Sequence, residues 1–322
     1  MPSKADELHS APIPDAVSVL RRGGLVAFPT ETVYGLGADA SNPAAVARIY
    51  AVKGRPASHP LIVHIGDIGQ LNRWARAVPE QAVKLAARFW PGPLTLVLRR
   101  ARGVGTEIAG GGDTVGVRIP GHPLALALLR EFAGGIAAPS ANRFGRISPT
   151  TAQHVRSDLG SDVDLILDGG SCEIGIESTI VDLSRGRPVL LRPGRIDAKD
   201  IANALGVEPE PRDPGAPRAS GTLQSHYAPR QPLRLIPPNE WDSALRSESK
   251  RLGVMSFGSR PADDTSTVWI EAPADPRRYG HDLYANLRAL DSSGCDQILV
   301  EEPPATAEWT AIRDRLARAR SD

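Results

Sequence analysis

Short apolar segments recur through the first two hundred residues, each bounded by glycine, proline or polar residues, and longer amphipathic segments separate some of them. The short segments are typical of buried strands and the amphipathic ones of helices. Several strands follow one another with no helix between them, so they cannot all be joined as parallel neighbours. We therefore expect a twisted mixed sheet flanked by helices. The predicted strands are residues 25–28, 61–65, 94–99, 115–119, 165–167, 179–183 and 189–191, and the predicted helices are residues 14–22, 43–53 and 80–90.

Turn residues fix two details of this pattern. Asn42 followed by Pro43 is typical of a helix N-cap with proline in the first turn, and the same helix should stop at Lys53, before Gly54. The short link 184–187 should join the last two strands of the sheet as a hairpin.

A more regular alternation follows residue 232. Strands at 233–236, 252–257, 268–270 and 297–300 alternate with helices at 241–249, 279–290 and 307–320. Strand and helix taking turns predicts a small parallel-sheet α/β domain of Rossmann-like type. This part contains no catalytic motif, which favours a partner-binding or regulatory module.

One segment separates the two patterns. Residues 208–224, EPEPRDPGAPRASGTLQ, are rich in proline, glycine and alanine and nearly lack large apolar side chains, which is typical of a linker. The chain has 322 residues, about twice the size of an ordinary domain. We predict an N-terminal domain at 1–207, a Pro-rich linker at 208–232 containing SHYAP, and a C-terminal domain at 233–322.

Composition narrows the class of protein. The formal net charge is +1, from 38 basic and 37 acidic residues, so the overall charge favours neither a nucleic-acid nor a membrane partner. Cys172 and Cys295 stand far apart, which argues against a zinc site and a disulfide framework. The first fifteen residues lack the apolar core of a signal peptide, and no apolar stretch is long enough for a membrane span. We expect a cytoplasmic protein.

The first candidate for chemistry is PTETVYGLG at residues 29–37. Its tail, GLGADA, formally matches a dinucleotide-binding pattern, but polar residues separate the glycines from the preceding strand and the next helix starts later, so we reject that match. What remains is a hydroxyl-rich loop at a strand end, with Thr32 in it, followed by glycines that permit close approach of a ligand. An ordinary Thr/Gly turn is the alternative.

Cations and imidazoles follow at the ends of elements. Lys53 and Arg55 end a helix, where basic residues often only complement the helix dipole. The chain has five lysines against 33 arginines, however, and a compact ammonium charge suits a phosphate. His59 follows, and His64 lies in strand LIVHI on the face opposite its apolar neighbours, where a hydrogen-bonded structural histidine is the alternative.

Further polar groups lie along TVGVRIP and APSAN. Strand geometry places Thr114 and Arg118 on one face, about 13 Å apart, which suits two ends of one ligand or a solvated outer face. Ser140 and Asn142 lie in APSAN at residues 138–142. Ser148 precedes Pro149 as an N-cap, and a helix start also binds anions.

Three more segments complete the set: ESTIVD with Ser178, LRPG with Arg192, and SHYAP with Tyr227. The sequence contains no P-loop, no HExxH, no G-x-S-x-G and no spaced cysteine set. Lysine, arginine, threonine, serine and glycine accumulate instead at element ends. This equipment suits the binding of an anionic nucleotide by positioning and electrostatics.

In their order and spacing, PTETVYGLG, KGRP followed by HPLIVH, FWPGPLTLVL, TVGVRIP, APSAN with SPT, ESTIVD and LRPG resemble the YrdC-like threonylcarbamoyl-AMP synthases. The linker ending in SHYAP and the appended α/β module resemble the two-domain form of that family. The resemblance is strong over residues 16–200 and at SHYAP. It implies a YrdC-like fold for the N-terminal, catalytic domain.

The resemblance also implies site residues. Lys53 and Arg55 would act at the reacting centre, with Lys53 neutralising phosphate charge, and Asn142 would support the nucleotide loop. The residues implied to bind threonine are Thr32, His64, Arg118 and Ser178, and those implied to bind ATP are Arg55, His59, Thr114, Ala138 through its backbone, Ser140, Asn142, Ser148, Arg192 and Tyr227. His59 departs from the asparagine that is usual in the family.

The reaction implied by the resemblance converts L-threonine, bicarbonate and ATP into threonylcarbamoyl-AMP and pyrophosphate, with Mg²⁺ bound with ATP and no metal ligand from the protein. The product would pass to a tRNA threonylcarbamoyl-transferase machinery, and weak direct contact with tRNA stays open. We hypothesise that the SHYAP linker forms a lid over the site. Two alternatives remain: a carbamoyl-transfer module and a non-catalytic RNA-binding or ribosome-associated factor.

Overall fold

A ten-stranded mixed sheet organises the first two hundred residues. The computed structural model describes residues 12–222, 226–247, 251–261 and 268–321. The strand order is β10-β9-β8-β4-β5-β3-β6-β2-β1-β7, with parallel and antiparallel neighbours, so the predicted mixed sheet is confirmed. The strands are β1 (Val26–Phe28), β2 (Gly35–Asp39), β3 (Ile62–His64), β4 (Leu94–Arg99), β5 (Thr114–Arg118), β6 (Ile136–Ala137), β7 (Leu165–Ile166), β8 (Thr179–Asp182), β9 (Val189–Arg192) and β10 (Glu210–Pro211).

Both faces of this sheet are covered. Alternate residues of each strand point to opposite faces, so Val26 and Phe28 pack with one set of helices and Ala27 with the other. Helices α1 and α5 cover one face, and most of the remaining helices cover the opposite one. The helices are α1 (Ile13–Arg21), α2 (Pro43–Lys53), α3 (Leu71–Trp74), α4 (Glu80–Phe89), α5 (Pro123–Phe132), α6 (Ala152–Leu159) and α7 (Ala198–Leu205).

The hairpin predicted between residues 179 and 191 is present, since β8 and β9 pair antiparallel. Seven elements of the large sheet and its helices were not predicted by range: β2, β6, β10, α3, α5, α6 and α7. The N-cap predicted at Ser148 is wrong, because the next helix, α6, is capped by Thr151. The glycines of GLGAD, which indicated a loop, lie in strand β2, which pairs with β1 on one side and β6 on the other. A Cβ atom on Gly37 would lie 2.7 Å from Ile136 and 2.8 Å from Phe28. Glycine is therefore required here by close packing rather than by a turn.

The linker is not featureless. Its first residues form β10, which adds a parallel edge strand to β9. Further along, Ala216 and Ala219 pack on a separate apolar cluster of the sheet that includes Ile62, Val97 and Ile180. The linker thus covers part of the large sheet before the chain enters the second domain.

The C-terminal residues form a four-stranded sheet in the order β11-β14-β12-β13, and every neighbouring pair is parallel. This agrees with the predicted parallel α/β domain. Its strands are β11 (Leu233–Ile236), β12 (Leu252–Ser256), β13 (Val268–Glu271) and β14 (Gln297–Glu301), and its helices are α8 (Trp241–Ser247), α9 (Pro276–Ser292) and α10 (Thr310–Ala319).

The two domains share a buried apolar cluster. Val33, Ile147 and Ile176 of the first domain pack with Tyr227 of the linker and with residues of α9 and α10. The second domain therefore packs against the loops at one end of the large sheet. Within the described ranges, no helix combines the length and the apolar character needed to cross a membrane.

Candidate active site

A cleft opens where the loops after β1, β6 and β7 meet the linker. The cleft is formed by strand ends and loops, where polar side chains are not covered by the apolar layers that pack on the strands. Nine of the residues predicted from the sequence line this cleft: Thr32, Arg55, His64, Arg118, Ala138, Ser140, Ser178, Arg192 and Tyr227.

Arg118 lies at the end of β5 and is 4% exposed. Its Nη2 donates to Glu31 Oε1 at 2.6 Å, its Nη1 donates to Thr32 Oγ1 at 3.0 Å, and its Nε donates to the carbonyl of Gly92 at 3.2 Å. The buried Glu31 carboxylate balances the charge and fixes the plane of the guanidinium. Arg118 therefore presents a preoriented cation to the cleft.

The loop that carries Thr32 is held by Thr30. Thr30 Oγ1 donates to the carbonyl of Val33 at 2.6 Å and accepts from the Val33 amide at 3.1 Å, which closes a local turn. The hydroxyls of Thr30 and Thr32 lie 2.8 Å apart. The hydroxyl-rich loop thus has a structural part, Thr30, and a part that faces the cleft next to Arg118.

His64 ends β3 directly beside Arg118, its partner in the strand pair. Burial and the nearby Arg118 cation lower the pKa of His64 to about 3, so its imidazole is neutral at neutral pH. Among the described residues its Nδ1 has no hydrogen-bond partner. A neutral ring with a spare nitrogen can bind a ligand's hydroxyl or amine.

Two further arginines enter the cleft from the other side. Arg192 Nε donates to the Ser178 carbonyl at 3.0 Å and its Nη2 donates to Ser178 Oγ at 3.1 Å. Arg55 Nη2 donates to the carbonyl of Pro60 at 3.0 Å. Burial lowers the pKa of Arg55 to about 10 and lowers the pKa of Arg192, but both stay cationic at neutral pH. The cleft therefore attracts an anion.

Tyr227 closes the cleft from the linker. Its ring is 1% exposed, its φ of 65° lies in the left-handed region, and its hydroxyl has no hydrogen-bond partner within the described ranges. Ser220, from the same linker, donates to the Pro60 carbonyl at 2.8 Å and accepts from Arg192 Nη1 through its own carbonyl at 2.9 Å. A buried hydroxyl without a partner, next to two arginines, is suited to a ligand.

Lys53 lies outside the cleft lining. It is 3% exposed, and its Nζ donates to the carbonyls of Ser140 at 2.6 Å and Asn142 at 2.5 Å. Asn142 in turn donates from Nδ2 to the carbonyls of Arg143 at 2.8 Å and Arg146 at 2.7 Å. In this structure both residues brace the APSAN loop, and contact of Lys53 with phosphate stays a prediction.

Three other predicted residues also lie outside the lining. Thr114 lines a neighbouring cavity that shares Ile62 and Ser220 with the cleft. The ring of His59 lies 5.4 Å from that of Phe144, and burial and Arg55 lower the pKa of His59, which favours its neutral form. Ser148 Oγ donates to Glu177 Oε1 at 2.6 Å. Ser225 of SHYAP lies outside the described residues.

Several residues that organise the cleft were not predicted from the sequence. Glu31 and Glu177 stand inside quoted motifs, so the motifs themselves contained the signal. Thr95 Oγ1 lies 2.8 Å from Ser178 Oγ, and it belongs to strand β4, in which no site residue was predicted. Arg315 and Tyr284 lie in a domain without any motif, and no sequence signal points to them.

The described residues contain no group of three or more histidine, cysteine or acidic side chains that could hold a metal ion. Glu31 and Glu177, the acidic residues beside the cleft, pair with Arg118 and Arg315. The donor set does not fit a protein-held cation.

The fold and the cleft define a two-domain α/β protein whose large domain presents buried arginines to an anionic ligand. Two family models cover the chain: one for Sua5, YciO and YrdC proteins, described as "Telomere recombination", matches residues 18–194, and one described as "Threonylcarbamoyl-AMP synthase, C-terminal domain" matches residues 196–321. The chain belongs to the threonylcarbamoyl-AMP synthase family, in its two-domain form.

Full-length relatives agree with this membership. A threonylcarbamoyl-AMP synthase of Pyrococcus abyssi is 41% identical over 318 residues, covering 94% of this chain and 92% of the relative. One of Bacillus subtilis is 41% identical over 332 residues, covering 98% and 95%. The crystal structure of P. abyssi Sua5 complexed with L-threonine superposes with a TM-score of 0.87 at 41% identity, covering 95% of this chain and 93% of the other.

Proposed function

We propose that the protein is a threonylcarbamoyl-AMP synthase, which uses L-threonine and ATP and makes threonylcarbamoyl-AMP. The observation that carries this proposal is the similarity, at 41% identity over nearly the full length, to relatives with that activity. The cleft supports it, since three buried arginines are available to an amino-acid carboxylate and a polyphosphate. The carbon of the new carbamate comes from bicarbonate.

Arg118, Thr32 and His64 form the amino-acid end of the cleft in this proposal. The guanidinium of Arg118 binds the threonine carboxylate, and the neutral ring of His64 accepts or donates a hydrogen bond without adding charge. Ser178, held between Thr95 and Arg192, lies at the junction with the nucleotide. The relative from P. abyssi was crystallised with L-threonine, which supports an amino-acid subsite in this fold.

Arg55, Arg192 and Tyr227 form the nucleotide end, together with the backbone of Ala138 and with Ser140. Arg55 and Arg192 are cations, and both contact Ser220 of the linker, so a triphosphate bound between them also contacts the lid. His59, Thr114, Asn142 and Ser148 lie outside the cleft lining, and their assignment to the nucleotide rests on the family resemblance. Lys53 would act through the loop that it braces, or directly on phosphate.

The proposed chemistry proceeds without a covalent enzyme intermediate. The threonine amine attacks CO₂ derived from bicarbonate and loses a proton, forming a carbamate. A carbamate oxygen then attacks the α-phosphorus of ATP, the bond between the α-phosphorus and the bridging oxygen breaks, and pyrophosphate leaves. The arginines offset the charge that would repel the anionic nucleophile, and the linker excludes water from the labile carbamate. Magnesium enters as the complex with ATP.

The product is a mixed anhydride, so its consumer is a transferase that passes the threonylcarbamoyl group to a nucleophile on tRNA. We place this step, and the protein, in the cytoplasm, because the two isolated cysteines suit a reducing compartment. Direct contact with tRNA is not required by the chemistry, since the activated product diffuses or is handed over.

Pyrophosphate release tests the proposal. Purified protein with ATP and Mg²⁺ should release pyrophosphate only when both L-threonine and bicarbonate are present, and Arg118→Met should abolish this threonine-dependent release. Release that ignores threonine and bicarbonate, or no release beside tight RNA binding, would overturn the proposal and favour the RNA-binding alternative.

A further inference from the structure

The carboxylate of Glu177 lies buried at the point where the cleft, the linker and the C-terminal domain meet. Glu177 is 6% exposed and lines the cleft directly before Ser178. Its Oε1 accepts from Ser148 Oγ at 2.6 Å, and its Oε2 accepts from Tyr284 of α9 at 2.9 Å. The first domain therefore contributes one partner and the second domain contributes another.

The second domain also supplies the charge that balances Glu177. Arg315 of α10 is 1% exposed, and its Nε donates to Glu177 Oε2 at 2.7 Å. Its Nη2 donates to the carbonyl of Pro193 at 3.0 Å, next to Arg192, and its Nη1 donates to Asp314 at 2.6 Å. One guanidinium thus joins the segment before Ser178 to the segment after Arg192.

The same guanidinium supports the linker. Arg315 Cζ lies 5.5 Å from the centre of the Tyr227 ring, within range of a cation–π interaction. On another side, the Tyr227 ring lies 5.6 Å from the ring of Tyr284. Tyr227 is therefore seated on two residues of the C-terminal domain while its hydroxyl faces the cleft.

The pKa shifts of Glu177 and Arg315 indicate that the two side chains stabilise each other's charge. Burial by itself raises the pKa of Glu177, but Arg315, Arg192 and the hydrogen bond from Ser148 outweigh burial and bring the pKa to about 2. The pKa of Arg315 lies well above its usual value despite burial, because Glu177 and the neighbouring tyrosines favour its charge. A buried ion pair of this kind tolerates the loss of neither partner.

We propose that Arg315 is a positioning residue of the reaction, supplied by the C-terminal domain: through Glu177 and the Tyr227 ring it sets the places of Ser178, Ser148 and the linker tyrosine around the substrates. The proposal rests on the proposed function for its substrates. It assigns the C-terminal domain a part in the active site, which neither partner binding nor regulation would require. Arg315 is not among the residues that line the cleft, and it acts through the lining residues that it contacts.

Replacement of Arg315 tests the proposal. Arg315→Met should lower kcat/KM for threonine-dependent pyrophosphate release by about tenfold to a hundredfold, because misplacement of positioning groups by an ångström has effects of that order. Arg315→Lys keeps a cation for Glu177 but loses the hydrogen bond to the Pro193 carbonyl, so its kcat/KM should lie between those of Arg315→Met and the wild type. Arg313→Met is the matched control, since Arg313 lies on the same helix and bonds within its own domain, to the carbonyl of Pro303.

The pairing is tested separately by a double-mutant cycle. Glu177→Gln and Arg315→Met should each lower kcat/KM, and the double variant should lose about as much as the worse single variant, because the two residues act as one unit. Losses that multiply would overturn the proposal. Folded Arg315→Met protein with wild-type kcat and KM values would overturn it as well.

Two measurements keep the test independent of folding and of the assigned reaction. Tyr284→Phe removes one hydrogen bond to Glu177 without changing charge, and it should raise KM for ATP several-fold even if Arg315→Met fails to fold. Calorimetric binding of a non-hydrolysable ATP analogue should weaken in Arg315→Lys and stay unchanged in Arg313→Met. If wild-type protein shows no threonine-dependent turnover, the proposed function fails, while these binding results still decide the role of Arg315.

Discussion

Arg118 shows how a single residue is prepared for a ligand. A guanidinium has five N–H groups, and the contacts with Glu31, Thr32 and Gly92 use three of them in the described structure. The N–H groups left over lie on Nη1 and Nη2, the pair that suits a carboxylate. Glu31 therefore orients Arg118 for a second anion, which arrives with the substrate.

Replacement of Arg118 by lysine should weaken the binding of threonine more than the binding of ATP. Arg118→Lys keeps a positive charge but loses the planar pair of donors, so we expect KM for threonine to rise by about tenfold to a hundredfold and KM for ATP to change little. Steady-state kinetics with each substrate varied in turn measures this. Arg22→Lys, on an exposed helix end, serves as the control. An equal rise in both KM values would contradict the assignment of Arg118 to the amino acid.

Glu177 makes the protein sensitive to acid. Its pKa is lowered from 4.5 to about 2 in the folded protein by Arg315, Arg192 and Ser148, acting against burial. Since the folded pKa lies below the unfolded one, the stabilisation is complete above about pH 5 and is lost as the pH falls toward 2. The full contribution is about 3 kcal/mol.

Glu177→Gln should remove this pH dependence. Urea unfolding of the variant should give a free energy of unfolding that is lower at neutral pH and falls less steeply than that of the wild type between about pH 5 and pH 3. Glu240→Gln, at an exposed site in the second domain, is the comparison. Wild-type and Glu177→Gln curves that fall in parallel would show that Glu177 is not held as a buried anion.

Helices and strands whose limits depend on residues close in sequence, such as caps and turns, were predicted correctly. The helix from Pro43 to Lys53 was located to the residue because Asn42 caps it through the Ala44 and Ala45 amides and Gly54 ends it at a φ of 64°. Strand β4 was located equally well by its apolar run and flanking turn. Strand β2 was not predicted because Gly37 is required by close contact with Phe28 and Ile136, which are not its neighbours in the sequence.

Gly221 tests whether the linker has to lie close over the cleft. A methyl group at this position would overlap the Tyr227 hydroxyl and approach Arg192 Nη1 to 2.8 Å, so Gly221→Ala should displace the linker, raise KM for ATP and speed product release. Gly186→Ala is the matched control, since Gly186 also has a positive φ, 81°, but open space around its Cβ position. Both substitutions cost about 1 kcal/mol in backbone strain. Equal kinetics for the two variants would show that the linker tolerates displacement.

In the molecule as a whole, some site residues can be predicted from sequence motifs, whereas others are identified only from the packing of the two domains. Motifs before residue 193 predicted the cationic lining of the cleft, including Arg55, Arg118 and Arg192. Arg315 could not be found in this way, because it lies 138 residues from Glu177 in sequence and only the packing of the second domain brings the two together. The domain boundary at 207 stays a prediction.

The contacts between the domains predict a shared unfolding transition. Arg288 of α9 binds Asp158 with both Nη atoms and also donates to the carbonyl of Ile147, across the same boundary as the apolar cluster. Calorimetry should therefore show one transition, and Arg288→Met should lower the free energy of unfolding by about 2 kcal/mol. Two well-separated transitions in the wild type would contradict a cooperative unit.

In the proposed function, this chain makes a threonine-derived carbamate and attaches it to AMP. The most direct test is mass spectrometry of the product formed from ATP, L-threonine and ¹³C-bicarbonate. We expect an adenylate that contains threonine and carries the heavy carbon, and we expect Arg118→Met to lose that species. An adenylate without the label, or unlabelled AMP and pyrophosphate alone, would contradict it.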